Sequence, residues 1–454
     1  MKSKEFTRRN FVSVISAGSV AAVASGVVPV YGNSSGMTQS KGKLAILGGD
    51  PVRKDKPWHS WPFIDQNVID SIIKTTKSGV WCRTSANNIA ALTFEKEFSA
   101  MLGAKYFLGV GSGTQALNTC VEALDIGPGD EVITSAYSDM GTIASILVAR
   151  ALPVMADLDP ESFQIDPKDV ERRITPNTKA IMPVHIMGVP CDMETITAIA
   201  KKHNLKVIED ACQAHLAEYQ GKKIGTIGDI GAFSFQETKV ISCGEGGGVV
   251  TNDEALMDKC YTFHNHGTTR KGVSERIGPK YRMNEFEGAI LMGQMPGFKE
   301  RHELRNRNAN YLRSKLKNFP GLVPQKQYEG TSSSAYYKFA MSYHKEHFNN
   351  AEPAKFIKAI RAEGIPLSGY IGHGLHREPW TVNILNLKGY KKMYSPERLQ
   401  QYRDELSLPN CDNVCRDVIV LNGPGELLGT LEDMDDVINA IMKVYENRDK
   451  LNLI

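Results

Sequence analysis

Between residues 105 and 255 the chain alternates short apolar runs with longer stretches whose apolar positions recur at helical spacing. "YFLGV" (106–110) runs into the turn "GSGT" and the helical pattern "QALNTCVEALDI"; "DEVITSA" precedes "GTIASILVARAL"; "LPVMADL" and "AIMPVHI" follow, and "METITAIAKKHNL" leads into "KVIEDA". Short apolar runs bounded by turns read as strands buried on both faces, and the amphipathic segments as helices packed on them. The pattern predicts an α/β fold: a large domain with a mainly parallel mixed sheet between helices. Sites in such sheets form at the carboxyl ends of the strands. Around residues 284 to 318, "NEFEGAILMGQMPGFKERHELRNRNANYLRSKL" reads as one long helix leading into a smaller α+β domain. That domain is expected to hold the strand "YYKFAMSYH" and the helices "EPAKFIKAIRAEG" and "LEDMDDVINAIMKVYENRD". The expected boundaries are an arm over 34–65, the large domain over 66–300 and the small domain over 301–454.

Composition adds little to this picture. The 454 residues are 41% hydrophobic and 23% charged, the balance of an ordinary globular protein. The formal charge of +3 is accounted for by Lys2, Lys4, Arg8 and Arg9 against Glu5, so no basic patch asks for nucleic acid or anionic lipid. The N-terminus is a separate object. "TRRNFV" followed by the weakly apolar "SVISAGSVAAVASGVVPV" has the layout of a twin-arginine export signal over residues 1–33, which predicts a periplasmic protein. The alternative is an uncleaved anchor, although the run barely reaches the roughly 18–20 residues a span requires; the mature chain is expected to hold no stable membrane span. Eight scattered cysteines are not a disulfide framework, but Cys411 and Cys415 in "CDNVC" are open to a bridge in an oxidising compartment. No CxxC pair or histidine-rich spacing suggests a metal.

Candidate chemistry centres on Lys239, set between the β-rich "GAFSFQ" and the glycine cluster "GEGGG". Such a lysine is either a solvated residue at a strand end or a desolvated amine forming a Schiff base with an aldehyde cofactor such as pyridoxal phosphate. The second reading needs partners. "KVIEDACQAH" delivers Asp210 to the edge of the sheet, as a helix cap or as the carboxylate that keeps a pyridine nitrogen protonated. Gln213 lies within reach of the same cofactor if the chain turns there, while His215 is expected to pack. "GVGSGTQAL" sets Ser112, Gly113 and Thr114 at a helix start, either a plain tight turn or an anion cradle. Ser234 is the natural extra phosphate ligand, and Glu245 is expected to fix its loop. The GxGxxG spacing of dinucleotide sites is absent, which argues against an NAD-linked oxidoreductase, and so is a Walker motif.

Taken together, "GSGTQAL", "DLDPESFQID", "HIMGVPCDM", "VIEDACQAH", "FSFQETKVISCGEGGGVVTND" and "YRMNEFEGAI" resemble the DegT/StrS-type sugar aminotransferases, fold-type I pyridoxal phosphate enzymes. The likeness runs from about residue 44 to the C-terminus, with the motifs in the family's order. "LAILGGDPVR", "FSFQ" and "RMNEF" lean toward the subgroup of 3-amino-5-hydroxybenzoate synthase and glutamine:scyllo-inosose aminotransferase. The resemblance implies that Lys239 carries the cofactor aldehyde, Asp210 pairs with its ring nitrogen, Gln213 contacts the ring or its hydroxyl, and Gly113, Thr114 and Ser234 hold the phosphate. It also implies ping-pong transfer from glutamate or glutamine to a keto-sugar or cyclitol, and a homodimer with shared active sites.

Two positions depart from the family pattern. The family's "GYNYRM" asparagine, which reaches the neighbouring subunit's phosphate, falls on Lys280 of "GPKYRM", where an ammonium would serve as a point charge. Where the family has "FTF" or "FTW", with the last aromatic stacked on the cofactor, this chain has Tyr137, Ser138 and Asp139. Either Tyr137 or Met140 then covers the ring, or Asp139 makes the face polar and contacts substrate or cofactor. His373, His376 and Asn422 are candidates for the acceptor pocket. The rivals are a pyridoxal phosphate enzyme acting on amino sugars in the catabolic direction, a dehydratase, against which Lys239 argues because the family's sugar 3-dehydratases carry histidine there, and an exported noncatalytic cofactor-binding or sensory protein.

Overall fold

The structure, a computed structural model, describes residues 42–85 and 89–454; the expected export signal lies outside the described residues. Seven strands make the central sheet: β1 (Tyr106–Val110), β2 (Glu131–Ser135), β3 (Leu152–Ala156), β4 (Thr178–Met182), β5 (Lys206–Asp210), β6 (Ile230–Ser234) and β7 (Gly247–Thr251). Their spatial order is β1-β7-β6-β5-β4-β2-β3. β3, β2, β4, β5 and β6 pair in parallel, and β7 runs antiparallel to both β6 and β1. Strands β2, β3, β6 and β7 are buried at every position, which is why their middles are apolar instead of alternating with polar residues. Alternation along β1 serves two cores. Phe107 joins Phe94, Phe98, Phe233 and Phe235 on one face, while Leu108 and Val110 meet Leu117 and Cys120 on the other.

A second sheet of four antiparallel strands (Leu322–Pro324, Phe339–Tyr343, Val418–Leu421 and Leu367–Gly369) lies in the C-terminal part. The helices Pro353–Ala362 and Leu431–Glu446 supply side chains to the core formed with it. The described part of the expected arm belongs to that core. Leu44 is fully buried in it, and the Arg53 guanidinium reaches Asp433 and Asp436, each at 2.7 Å. Farther along the arm, Trp61 Nε1 donates to the Glu237 carbonyl at 3.1 Å, so the same segment touches the loop that carries Lys239.

One reading is corrected. The expected long helix is two helices, Glu285–Gln294 and Phe298–Leu316. Pro296, between them, has no N–H to donate to the preceding turn, and Gly297 takes a positive φ of 71° that favours glycine. Cys411 and Cys415, which the spacing leaves open to a bridge, are both free thiols, one turn apart on the helix Pro409–Asp417. Among the described residues, no helix is long and apolar enough to cross a membrane.

Candidate active site

The carboxyl ends of β5 and β6, the turn after β1 and the segment after β2 converge on a cavity of about 470 Å³. β5 ends in Asp210, which is 3% exposed. Its Oδ2 accepts from Thr142 Oγ1 at 2.7 Å and its Oδ1 from the Cys212 N–H at 3.2 Å, so the carboxylate is fixed in orientation. β6 ends in Ser234, whose Oγ accepts from the Gln236 N–H at 3.3 Å. Behind it, His215 Nε2 lies 2.8 Å from the Ser234 carbonyl. Burial, with the Lys239 charge adding to it, pushes that imidazole down to about 3, so it packs as a neutral ring.

Lys239 occupies the loop joining β6 to β7. Phe235 N–H donates to Gly246 O, Glu237 N–H to Gly244 O and Cys243 N–H to Phe235 O, at 2.8–2.9 Å, and together they cinch this loop into a closed ring. The Lys239 amine stands 4.5 Å from the centroid of the Tyr337 ring, and Tyr337 Oη is 2.8 Å from Thr238 Oγ1. Both neighbours line the cavity with it.

The remaining wall is a helix start. Ser112 Oγ caps the helix Gly113–Ala123 by accepting from the Gln115 N–H at 3.2 Å, which leaves first-turn N–H groups that a helix cannot satisfy internally. A Cβ at Gly113 would lie 2.7 Å from Ser234 Cβ and 3.1 Å from Cys212 Sγ, so only glycine lets the helix approach the end of β6 this closely. The walls fit pyridoxal phosphate: Ser112, Gly113, Thr114 and Ser234 line one side at the helix start and could hold an anion, Asp210 offers a buried carboxylate, and Lys239 offers an amine. Gly113→Val is expected to weaken cofactor retention roughly 10- to 100-fold, the loss of about one charge-assisted hydrogen bond, as read by equilibrium dialysis.

Asp139 also lines the cavity, exposed, with Oδ1 accepting from the Gly141 N–H at 2.8 Å as cap of the helix Met140–Val148. Gln213 is there too, but both ends of its amide are engaged. Oε1 accepts from the Met187 N–H at 2.7 Å and Nε2 donates to Tyr370 Oη at 2.9 Å. Glu245, expected only to fix its loop, is an exposed residue of the cavity wall.

Other expected residues stay outside. Tyr137 does not reach the cavity: it is 1% exposed and packs with Leu408, Cys411 and Val414, its ring edge-on to Tyr370 at 6.2 Å. Met140 starts its helix 38% exposed and lines nothing there. Lys280 is exposed and pairs by backbone with Asn265, away from this chain's own cavity. His376 is buried against Asp412 at 3.1 Å, His373 pairs with Glu378, and the Asn422 side chain accepts from Ser368 Oγ; none of the three lines the site. Conversely, sequence reasoning missed Thr142, Tyr337 and Tyr370. The two tyrosines come from the C-terminal part: Tyr337 from "AYYKF", which carries the signal of a strand and nothing more, and Tyr370 from "SGYIGH", which carries none.

The pattern of the DegT/DnrJ/EryC1/StrS aminotransferase family matches residues 62–441. The chain belongs to this family. It is 32% identical to the L-glutamine:2-deoxy-scyllo-inosose aminotransferase of Streptoalloteichus tenebrarius, over 90% of this chain and 99% of that one. Among solved structures it resembles 3-amino-5-hydroxybenzoic acid synthase, with TM-score 0.75 and 26% identity over 87% of this chain and 100% of that one. It is also similar to NtdA from Bacillus subtilis with bound cofactor PMP, with TM-score 0.70 and 26% identity over 87% of each chain. The protein is a pyridoxal phosphate-dependent aminotransferase of fold type I, and as such it agrees with the expectation from its motifs.

Proposed function

We propose that this aminotransferase moves an amino group from glutamine or glutamate to a keto-cyclitol or keto-sugar, as a homodimer, in the periplasm after twin-arginine export. The observation that carries the reading is the convergence of Lys239, Asp210 and the 112–114/Ser234 cradle on one cavity, in a chain a third identical to a glutamine:keto-cyclitol aminotransferase. Ser112, Gly113, Thr114 and Ser234 hold the phosphate, and Asp210 faces the ring nitrogen. The Lys239 amine would hold the cofactor's aldehyde and, when free, would serve as the base that moves the proton at the donor's Cα. Bound pyridoxal phosphate supplies the electron sink. Lys280, exposed and outside its own cavity, is available to the phosphate of a second copy.

Two mixing steps test the reaction. The visible band of the holoenzyme is expected to bleach with glutamine or glutamate and to return with an uncharged cyclitol or sugar ketone. A band indifferent to every amino donor would instead favour the noncatalytic cofactor-binding protein. Sedimentation equilibrium reads the dimer, and N-terminal sequencing of the exported protein reads signal removal; an intact residue 1 in a membrane fraction would replace export by anchoring.

A further inference from the structure

Around the cavity, the hydrogen-bond directions leave one proton unassigned. The Met187 N–H can only donate, so it fixes the oxygen of the Gln213 amide and turns Nε2 toward Tyr370 Oη. Tyr370 therefore accepts from Gln213 and keeps its own O–H for something else. Met187 holds this arrangement from a positive φ of 61°, unusual for a residue with a side chain, inside a turn tied to the C-terminal part by Ala335 N–H to Gly188 O at 2.8 Å. The ring is braced on two sides, edge-on to Tyr137 at 6.2 Å and to Tyr337 at 6.4 Å. Burial keeps the hydroxyl protonated, with Tyr337, Asp139 and Asp210 reinforcing it and Gln213 opposing.

Across the same cavity, Asp139 has the complementary shortage. Oδ1 is occupied by the Gly141 N–H, and Oδ2 has no hydrogen-bond partner among the described residues. An O–H donor and a carboxylate oxygen, neither engaged by another group among the described residues, line the same cavity, and the Asp139 charge acts on the Tyr370 hydroxyl; the pair matches the hydroxyl and carbonyl groups of a polyol. The charge of the lining narrows the class further. Among the described residues that one chain contributes to the lining, Asp139, Asp210 and Glu245 face Lys239 alone, and once Asp210 and Lys239 serve the cofactor, with Lys280 of a second copy turned to its phosphate, what the chain leaves for the acceptor is acidic. A diphosphate tail would be repelled there, while a neutral ligand would not.

We propose that Tyr370 and Asp139 form the acceptor subsite and that it takes an uncharged polyhydroxy ketone instead of a nucleotide-linked sugar. Tyr370 donates to the ketone or a neighbouring hydroxyl oxygen, and Asp139 accepts from a ring hydroxyl. This rests on the aminotransfer reading above and assigns the side chains that choose its acceptor.

The test separates the two half-reactions of the full-length holoenzyme by stopped-flow absorbance, with glutamine as donor and scyllo-inosose and uncharged keto-hexoses as acceptors. Tyr370→Phe keeps the ring and its packing, and Asp139→Asn keeps the helix cap. Each is expected to slow the acceptor step about 10- to 100-fold, the weight of one hydrogen bond involving a charged or fully oriented group, and to slow it at least tenfold more than the donor step. The double variant should lose less than the product of the two, because both hold one ligand. Equal slowing of both steps, or of neither, overturns the subsite while leaving aminotransfer standing. Faster return of the band with a nucleotide-diphosphate-linked keto-sugar than with any uncharged ketone overturns the acceptor class. A wild-type band that ignores glutamine and glutamate removes the aminotransfer reading and this subsite together.

Discussion

Lys239→Ala is expected to abolish covalent cofactor attachment and to lower turnover by at least about 10³-fold, with the fold intact. A positioned base alone contributes roughly 10²- to 10⁴-fold, and here the covalent tether is lost with it. The fold survives because the side chain is only partly buried and forms no ion pair among the described residues. Its loop is held by backbone bonds from Phe235, Glu237 and Cys243, none of which needs the amine. Borohydride reduction followed by mass spectrometry should add one cofactor mass to the wild type and none to the variant, with matching far-ultraviolet spectra. The phosphate cradle remains, so noncovalent binding should persist at reduced affinity. Retained turnover in Lys239→Ala would remove the amine from the chemistry altogether.

Why Lys239 and Asp210 were legible while Tyr370 was not follows from the range of the signals. A strand buried on both faces is written in consecutive residues, so "YFLGV" maps onto β1 and "KVIED" onto β5, with Asp210 at its last position. A cradle at a helix start is likewise local, because Ser112, Gly113 and the cap are neighbours in sequence. Tyr337 and Tyr370 reach the cavity from 98 and 131 residues beyond Lys239, through the packing of a second sheet that no local pattern encodes. Tyr137 fails for a related reason. Its place after β2 is readable, but whether its ring turns to the cavity or to Leu408 and Cys411 depends on a helix near residue 411. The helix break is the opposite case. Pro296–Gly297 is a plain breaker signal, and the run of helix-favouring residues on both sides of it obscured a boundary that was written in the sequence.

Asp210→Asn should separate holding the cofactor from using it. Asparagine has the same shape, its oxygen can accept from the Cys212 N–H while its NH2 turns to donate to Thr142 Oγ1, and it leaves Lys239 and the cradle untouched, so the cofactor should still bind and still be reducible onto Lys239. What it cannot do is supply the negative charge that stabilises a protonated ring nitrogen. Two units of proton affinity lost there amount to about 2.7 kcal/mol, roughly a 100-fold slower proton transfer at the donor's Cα. Burial makes the effect larger than at a surface, since at 3% exposure little water reaches the site to screen the charge or substitute for it. Single-turnover mixing with glutamine reads that step directly, and the slowing should appear in the bleaching rate with little change in the amount of cofactor bound. Equal rates in Asp210→Asn and wild type would mean that the ring nitrogen does not face this carboxylate, and the orientation assigned to the cofactor would have to be turned around within the cavity.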